Sequence, residues 1–232
     1  MVWHIKLSNI NEEQFEVIQN VISEKIYFKS FQIKEDEYKE YYLVLENQEI
    51  ISAPEALSKG EDEIKILASI LNIFNYKNNI SADSPYEIYP DGTRTGYLTF
   101  VDKINITDEV NIYSNKKLLF STKEEKKQNM KDIYSKCKYS EIKRQLLVYM
   151  GKEENWINAY KIYEILKHHY INEKELKKYP ELSTFAHTAN SPKAVGEDAR
   201  HAVQNIQNPK NIANLQISYK KLKELAMKFL IS

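Results

Sequence analysis

The chain has 232 residues and equal numbers of basic and acidic side chains, 33 of each, so its formal net charge is zero. Its 42% hydrophobic and 12% aromatic residues are sufficient for a substantial core, which argues against disorder of the whole chain. No apolar run reaches the roughly 20 residues of a membrane-spanning helix, and Met1–Lys6 lacks the pattern of a signal peptide. We therefore expect a cytoplasmic protein that does not contact a membrane.

The strand pattern is confined to the first half of the chain. Residues 2–7, 26–33 and 41–45 are rich in β-branched and aromatic side chains, which favours strands, and the same pattern returns at 97–101 and 110–113. Together with two helical stretches between them, these short runs predict a small α+β domain.

Two helices are predicted between these strands. Asn11 followed by Gln14 is the pattern of a capping box and begins a helix over residues 12–23. Apolar residues at helical spacing predict a second helix over 62–76. Pro85 is expected to mark a turn beyond that helix.

After residue 122 the strand pattern almost disappears and helical spacing dominates. Trp156, Tyr160 and Tyr163 share one face of a helix, and we expect this face to be buried. Predicted helices cover about 123–135, 141–150, 156–167, 173–178 and 197–206, with a last helix around Leu222, Leu225 and Phe229.

The charge divides at the same point as the secondary structure, so we place a domain boundary near Thr122. Residues 1–122 carry 12 basic and 20 acidic side chains, a net charge of −8, whereas residues 123–232 carry 21 and 13, a net charge of +8. The fold class predicted is therefore α+β, with an acidic mixed domain over 1–122 and a basic all-helical domain over 123–232. Such asymmetry indicates the nature of binding partners rather than the fold.

Common cofactor and metal motifs are missing from the sequence. It has a single cysteine, Cys137, which excludes an internal disulfide and a multi-cysteine zinc or iron–sulfur site. Glycine-rich phosphate loops, the serine elbow of hydrolases, the H-E-x-x-H zinc motif and the EF-hand loop are also absent. We expect no cofactor and no bound metal.

The segment from Phe185 to Asn205 differs from the surrounding helical pattern because it is polar and interrupted. We expect a polar loop here, with Ser191 as the N-cap of a short helix that begins at Pro192. A break at Gly196 then leads into a helix whose first turns carry Arg200 and His201. Two consecutive helical residues point about 100° apart, so these two side chains face different ways.

Three short motifs lie in the last third of the chain, between Trp156 and Asn205. They are W-x-x-x-Y-x-x-x-E, F-x-x-T-A-N and G-x-x-A-R-H, formed by Trp156, Tyr160 and Glu164, by Phe185, Thr188, Ala189 and Asn190, and by Gly196, Ala199, Arg200 and His201. Together they resemble a family of uncharacterised bacterial proteins, and this resemblance implies no particular activity.

A second similarity is to HEPN ribonuclease domains, which are helical bundles. Their signature is an arginine, a polar residue, three variable positions and a histidine. Arg200 and His201 fit its beginning, but Asn205 occupies the position of the closing histidine. The resemblance implies RNA cleavage, and this departure removes one residue to which it would assign catalytic work.

Metal-independent RNA cleavage needs a group that activates the 2′-hydroxyl, a proton donor for the leaving oxygen and a cation near phosphorus. His201 or His187 suits proton transfer because imidazole titrates near neutral pH, and Arg200 suits phosphate. Asn190 is a candidate for orienting either group. Glu164 is expected to lie near Arg200 and to align it or neutralise its charge. The structural alternative is that Arg200 only ties the loop down and that His201 is an ordinary, partly buried polar residue.

Several functional interpretations remain open from the sequence. The favoured one is a nucleic-acid-directed protein, with RNA as its partner, that acts as a ribonuclease-like effector or a binding protein in a bacterial defence or mobile-element system. The alternative is a non-enzymatic adaptor or accessory subunit whose acidic domain binds a protein partner or a second copy of the chain. A small-molecule enzyme, and a metal site formed by His168, His169, His187 and a carboxylate, are further alternatives.

Overall fold

A computed structural model of the chain divides into two compact units, Met1–Lys131 and Asp132–Ser232. The predicted boundary at Thr122 falls outside the described residues. The structure describes residues 2–22, 26–32, 39–46, 50, 52–76, 78–89, 93–97, 123–171, 178–200 and 209–232.

Among the described residues, the first unit contains an antiparallel sheet of five strands in the order β2-β3-β1-β4-β5, together with two complete helices and the start of a third. With the mainly helical second half, this confirms the predicted α+β class. The bounds are β1 (Trp3–Ser8), α1 (Glu12–Gln19), β2 (Ile26–Gln32), β3 (Lys39–Leu45), α2 (Ala53–Ile73), β4 (Ser81–Ile88) and β5 (Arg94–Gly96).

One face of the sheet packs on the helices and forms the core of this unit. Ile5 is fully buried against α2 at Gly60, where an added Cβ would lie 2.7 Å from Ile5 Cγ1. The glycine therefore permits close contact between helix and strand. On α1, the ring of Phe15 packs edge-on against Phe28, with centroids 5.6 Å apart. The capping box predicted at Asn11 is confirmed.

The opposite face of the sheet carries a charged cluster, since neighbouring residues of a strand point to opposite faces. The carboxylate of Glu40 accepts hydrogen bonds from Lys6 Nζ at 2.7 Å, from Arg94 Nη1 at 2.6 Å and from the Tyr42 hydroxyl at 2.7 Å. Burial by itself would raise the pKa of Glu40, but these bonds outweigh it and lower the pKa from 4.5 to about 2.

The prediction for Pro85 is wrong, and the helices predicted over 12–23 and 62–76 are present with different bounds, since α1 already ends at Gln19. Pro85 lies inside β4, opposite Ile5, where the β1–β4 register shifts between Ile5 and Leu7. Such an irregularity accommodates a residue without a backbone N–H. The second predicted helix starts at Ala53 rather than at residue 62, because Ser52 caps it.

The strands predicted at 97–101 and 110–113 fall mostly on residues 98–122, outside the described part of the chain. Their first residue, Tyr97, lies just after β5 and not in a strand.

The second unit is built from helices around α5. Three helices begin at side-chain caps, in which Ser140, Asn155 and Asn214 each accept a hydrogen bond from a backbone N–H in the first turn. Helix α5 contacts α4, α6 and α8. The bounds are α3 (Lys123–Lys138, which crosses from the first unit), α4 (Glu141–Gly151), α5 (Trp156–His169), α6 (Pro180–Ala189), α7 (Pro192–Val195), a 3₁₀ turn (Gly196–Asp198) and α8 (Leu215–Ile231).

The polar loop predicted from Phe185 is wrong in its first part. Phe185 and Ala189 lie in α6, which begins at Pro180 and buries both side chains. The helix predicted over 197–206 begins instead as the 3₁₀ turn and a bend at Ala199 and Arg200. Residues 201–206, and most of the helix predicted at 173–178, lie outside the described residues.

Among the helices of the described residues, none is long and apolar enough to cross a membrane.

Candidate functional site

Helix α5 supplies one wall of the site. Tyr160 and Glu164 lie one turn apart and therefore share a face of the helix. The predicted burial of Tyr160 and Tyr163 is confirmed, whereas Trp156, in the first turn, is only half-buried. The Trp156 ring stacks on Phe185 of α6, with centroids 5.6 Å apart and the planes 14° from parallel. The aromatic contacts fix α5 against α6.

Arg200 reaches this wall because the chain turns back after α7. Gly196 has a φ of 63°, a backbone conformation that favours glycine and that confirms the predicted break. The Arg200 N–H then donates to the carbonyl oxygen of Ala189 at 3.0 Å. Because that carbonyl lies at the end of α6, the bond satisfies a helix-terminal acceptor and anchors the Arg200 backbone.

The guanidinium of Arg200 is held by two side chains of α5. Its Nη2 forms an ion pair with Glu164 Oε1 at 2.7 Å, and its Nη1 donates to the Tyr160 hydroxyl at 3.2 Å. The guanidinium carbon also lies 4.8 Å from the centroid of the Tyr160 ring. The predicted proximity of Glu164 to Arg200 is confirmed. Since both charged side chains are partly exposed, the ion pair stabilises the fold by only about 0.2–1 kcal/mol.

Asn190 completes the cluster at the C-terminal end of α6. Its Nδ2 donates to the carbonyl oxygen of Ala186 at 2.8 Å and to the Tyr160 hydroxyl at 3.4 Å. The Tyr160 hydroxyl therefore accepts from both Asn190 and Arg200. The buried Asn190 Oδ1 has no hydrogen-bond partner among the described residues. We call Tyr160, Glu164, Asn190 and Arg200 the arginine cluster.

Ser191 occupies the predicted N-cap position before Pro192, but its hydroxyl does not cap the helix. The side chain is fully buried, and its Oγ has no hydrogen-bond partner in the described part of the chain. The one-turn helix is held instead by backbone bonds, in which Ala194 N–H and Val195 N–H donate to the Ser191 carbonyl at 3.0 and 3.1 Å.

Only one of the two candidate histidines lies among the described residues. His187 is exposed in the last turn of α6, three residues before Asn190. His201 lies outside the described residues. The roles assigned to both imidazoles in proton transfer stay predictions.

The sequence interpretation missed the central place of Tyr160 in the arginine cluster. It treated Tyr160 as a core residue, although the W-x-x-x-Y-x-x-x-E spacing already placed it one turn before Glu164. The structure shows that the ring is buried while the hydroxyl reaches both Asn190 and Arg200.

In the described part of the chain, no group of three or more histidine, cysteine, aspartate or glutamate side chains converges to hold a metal ion. His168 and His169 are exposed at the end of α5, with ring centroids 6.4 Å apart. The chemistry available in the arginine cluster is that of a fixed guanidinium beside hydrogen-bonding groups.

In comparisons with known proteins, no protein-family model, no curated protein and no solved structure matches the chain. The resemblances to an uncharacterised bacterial family and to HEPN domains stay predictions.

Proposed function

We propose that this chain is an RNA-directed protein whose second unit, Asp132–Ser232, contacts phosphates, with Arg200 as an anchoring residue. We call this second unit the helical unit. The observation that carries the proposal is the fixed guanidinium, which is oriented by Tyr160 and Glu164 while its side chain remains 42% exposed. Because its planar fork of five N–H donors suits phosphate oxygens, a pre-oriented guanidinium loses little freedom on binding.

The charge of the helical unit supports this proposal. Residues 132–232 carry 17 basic and 11 acidic side chains, a net charge of +6. Contacts between lysine or arginine and phosphate release counterions from the nucleic acid, and this release favours binding at low salt. The acidic first unit restricts binding by opposing indiscriminate contact with phosphates.

Cleavage of the bound RNA is a narrower form of the same proposal. Arg200 would stabilise the charge that develops on the phosphate, and His187, exposed in the last turn of α6 near its C-cap Asn190, would transfer a proton. Binding requires only the arginine cluster and the basic surface. Cleavage additionally requires an imidazole that is positioned to transfer a proton.

The proposal is tested by fluorescence anisotropy with labelled single-stranded RNA at several salt concentrations, with cleavage followed in the same samples in the presence of EDTA. We expect affinity to fall with salt and Arg200→Ala to weaken binding by about tenfold, equivalent to about 1.4 kcal/mol. Arg200→Lys should recover part of the loss because it keeps the charge but not the fork.

Lys65→Ala is the matched control, because it removes one positive charge from an exposed side chain of the first unit that pairs with Asp62. It should bind RNA like the wild-type protein. An absence of salt-sensitive binding by the wild-type chain would contradict the proposed function.

A second candidate function, a non-enzymatic adaptor, is favoured by exposed apolar side chains in the helical unit. Ile212 and Ile217, on either side of the cap of α8, are 66% and 68% exposed. Sedimentation velocity tests self-association through them: this form of the adaptor predicts an oligomer that the double variant Ile212→Ser, Ile217→Ser dissociates.

A further inference from the structure

A second basic feature lies where α4 ends against α5. The ring of Tyr149 is half-buried, and two exposed lysines lie beside it. The Nζ of Lys152 is 5.2 Å from the ring centroid and the Nζ of Lys161 is 4.9 Å from it. The two ammonium nitrogens are therefore within about 10 Å of each other. We call Tyr149, Lys152 and Lys161 the tyrosine patch.

Both ammonium groups of the patch lack a carboxylate partner among the described residues. The two acidic residues that follow Lys152 are engaged elsewhere, since Glu153 accepts a hydrogen bond from Asn155 at 2.5 Å and Glu154 pairs with Lys223 at 3.5 Å. The patch therefore presents two positive charges on one aromatic ring.

Two other lysine–aromatic contacts of the helical unit differ in this respect. Lys221 lies over the Tyr179 ring but pairs with Glu224 at 3.5 Å. Lys223 lies over the Tyr219 ring and pairs with Glu154 at 3.5 Å. In these two places the ammonium group has a carboxylate partner, whereas the two ammonium groups of the tyrosine patch have none among the described residues.

The tyrosine patch is continuous with the arginine cluster along α5. Lys161 and Glu164 are three residues apart and are therefore neighbours on the helix surface, separated by about 4.5 Å along its axis. Glu164 in turn holds Arg200 at 2.7 Å. A strand that contacts Arg200 can thus reach Lys161 without crossing the core.

We propose that the tyrosine patch is a subsite for single-stranded RNA, in which an unpaired base stacks on Tyr149 and the flanking phosphates contact Lys152 and Lys161. This inference rests on the proposed RNA-directed function and specifies the form of the nucleic acid. Stacking on an aromatic side chain requires a base that is free of its duplex partner. It also contributes more than the exposed cation–π contacts that it displaces.

The test is fluorescence anisotropy of the full chain with a labelled oligouridine strand and with duplex RNA of equal length. Tyr149→Leu should weaken single-strand binding by about tenfold, since it keeps apolar bulk and removes the ring. Tyr149→Phe should bind like the wild-type protein because the stacking surface remains.

The lysines are tested separately through the salt dependence of binding. Lys152→Ala and Lys161→Ala should each reduce the slope of log K against log salt by about 0.7, the value for one phosphate contact on a single strand. Both side chains are exposed, so these variants test the patch without removing a core residue. The matched control is Lys167→Ala, an exposed lysine about 120° around α5 from Lys161, which should leave the slope unchanged.

The outcomes separate this inference from the proposed function. Salt-sensitive RNA binding that Tyr149→Leu, Lys152→Ala and Lys161→Ala leave unchanged would overturn the subsite and leave the proposed function standing. Preference for the duplex, or equally tight binding of a poly-glutamate peptide, would also overturn it. Failure of the wild-type chain to bind any RNA would remove both proposals.

Discussion

At the scale of single residues, the charged groups of the two units are used differently. Glu40 receives three hydrogen bonds on the sheet and has a side chain that is only 12% exposed, so its cluster serves the fold. Arg200 pairs with the Glu164 carboxylate and donates to the Tyr160 hydroxyl, and its side chain stays partly exposed. The charges of the first arrangement are enclosed by the protein, whereas the side chain of Arg200 in the second remains 42% exposed.

The Glu40 cluster makes stability depend on pH in acid. The folded-state pKa is about 2 against an ordinary value of 4.5, so the stabilisation is complete above pH 4.5 and is lost as the pH falls toward 2. Glu40→Gln should lower the free energy of unfolding at pH 7 by about 1–3 kcal/mol, because Lys6 and Arg94 lose their anionic acceptor.

Urea unfolding of the wild-type protein and Glu40→Gln at pH 7 and pH 3 measures this effect. The difference between the two proteins should shrink at pH 3, because the Glu40 carboxyl of the unfolded chain, with its ordinary pKa of 4.5, is then mostly protonated and loses this proton on folding. An equal difference at both pH values would show that Glu40 is not the titrating group.

At the scale of the elements, local periodicity was sufficient for β1, β2, β3, α1, α4 and α5, since each has a continuous apolar pattern of its own. Helix α2 was predicted only in part because its first turns bury small residues, Ala56 and Gly60, which carry little periodic signal. The pattern after Phe185 indicates a loop because Pro192 and Gly196 follow closely, although Phe185 and Ala189 belong to α6. Pro85 was misplaced because the irregularity that accommodates it depends on pairing with β1.

The candidate site shows the same division between local and tertiary information. Motif spacing placed Tyr160 and Glu164 on one face of a helix, and the approach of Arg200 to Glu164 was predicted from the motifs together. The tyrosine patch was not predictable, because Tyr149 and Lys161 meet only through the packing of α4 on α5.

The Tyr160 hydroxyl lies at the centre of the arginine cluster and links α5 to the residues that follow it. Tyr160→Phe keeps the ring between α5 and α6 but removes the acceptor shared by Arg200 and Asn190. We expect a loss of about 0.5–1.5 kcal/mol in the free energy of unfolding and weaker RNA binding than the wild-type protein. Tyr163→Phe is the control, since Tyr163 is buried on the same helix and has no hydrogen bond to a described residue.

Chemical denaturation and RNA anisotropy measured on both variants distinguish the two roles of Tyr160. Reduced RNA affinity in Tyr160→Phe, with Tyr163→Phe unaffected, assigns the hydroxyl to orienting Arg200. If the two variants bind RNA equally, the hydroxyl only stabilises the packing of the helices.

At the scale of the whole molecule, a formal charge of zero conceals two oppositely charged units. Residues 1–131 carry 16 basic and 22 acidic side chains, a net charge of −6, against +6 for residues 132–232. The compact units thus keep the sign of the asymmetry found in the sequence. A phosphate-binding role therefore depends on the second unit and is compatible with overall neutrality.

Independent folding of the helical unit is testable through its buried cysteine. Cys137 lies near the end of α3, fully buried, and burial raises the pKa of its thiol to about 12. Because the thiolate is the nucleophile that attacks thiol reagents, the folded chain should react slowly and the chain in guanidinium chloride rapidly. A fragment over residues 123–232 retains all of α3 and every helix that follows, so it should remain helical by circular dichroism and protect Cys137 as the full chain does. Rapid labelling of the fragment in native buffer would mean that residues 1–122 are required to keep the helical unit closed.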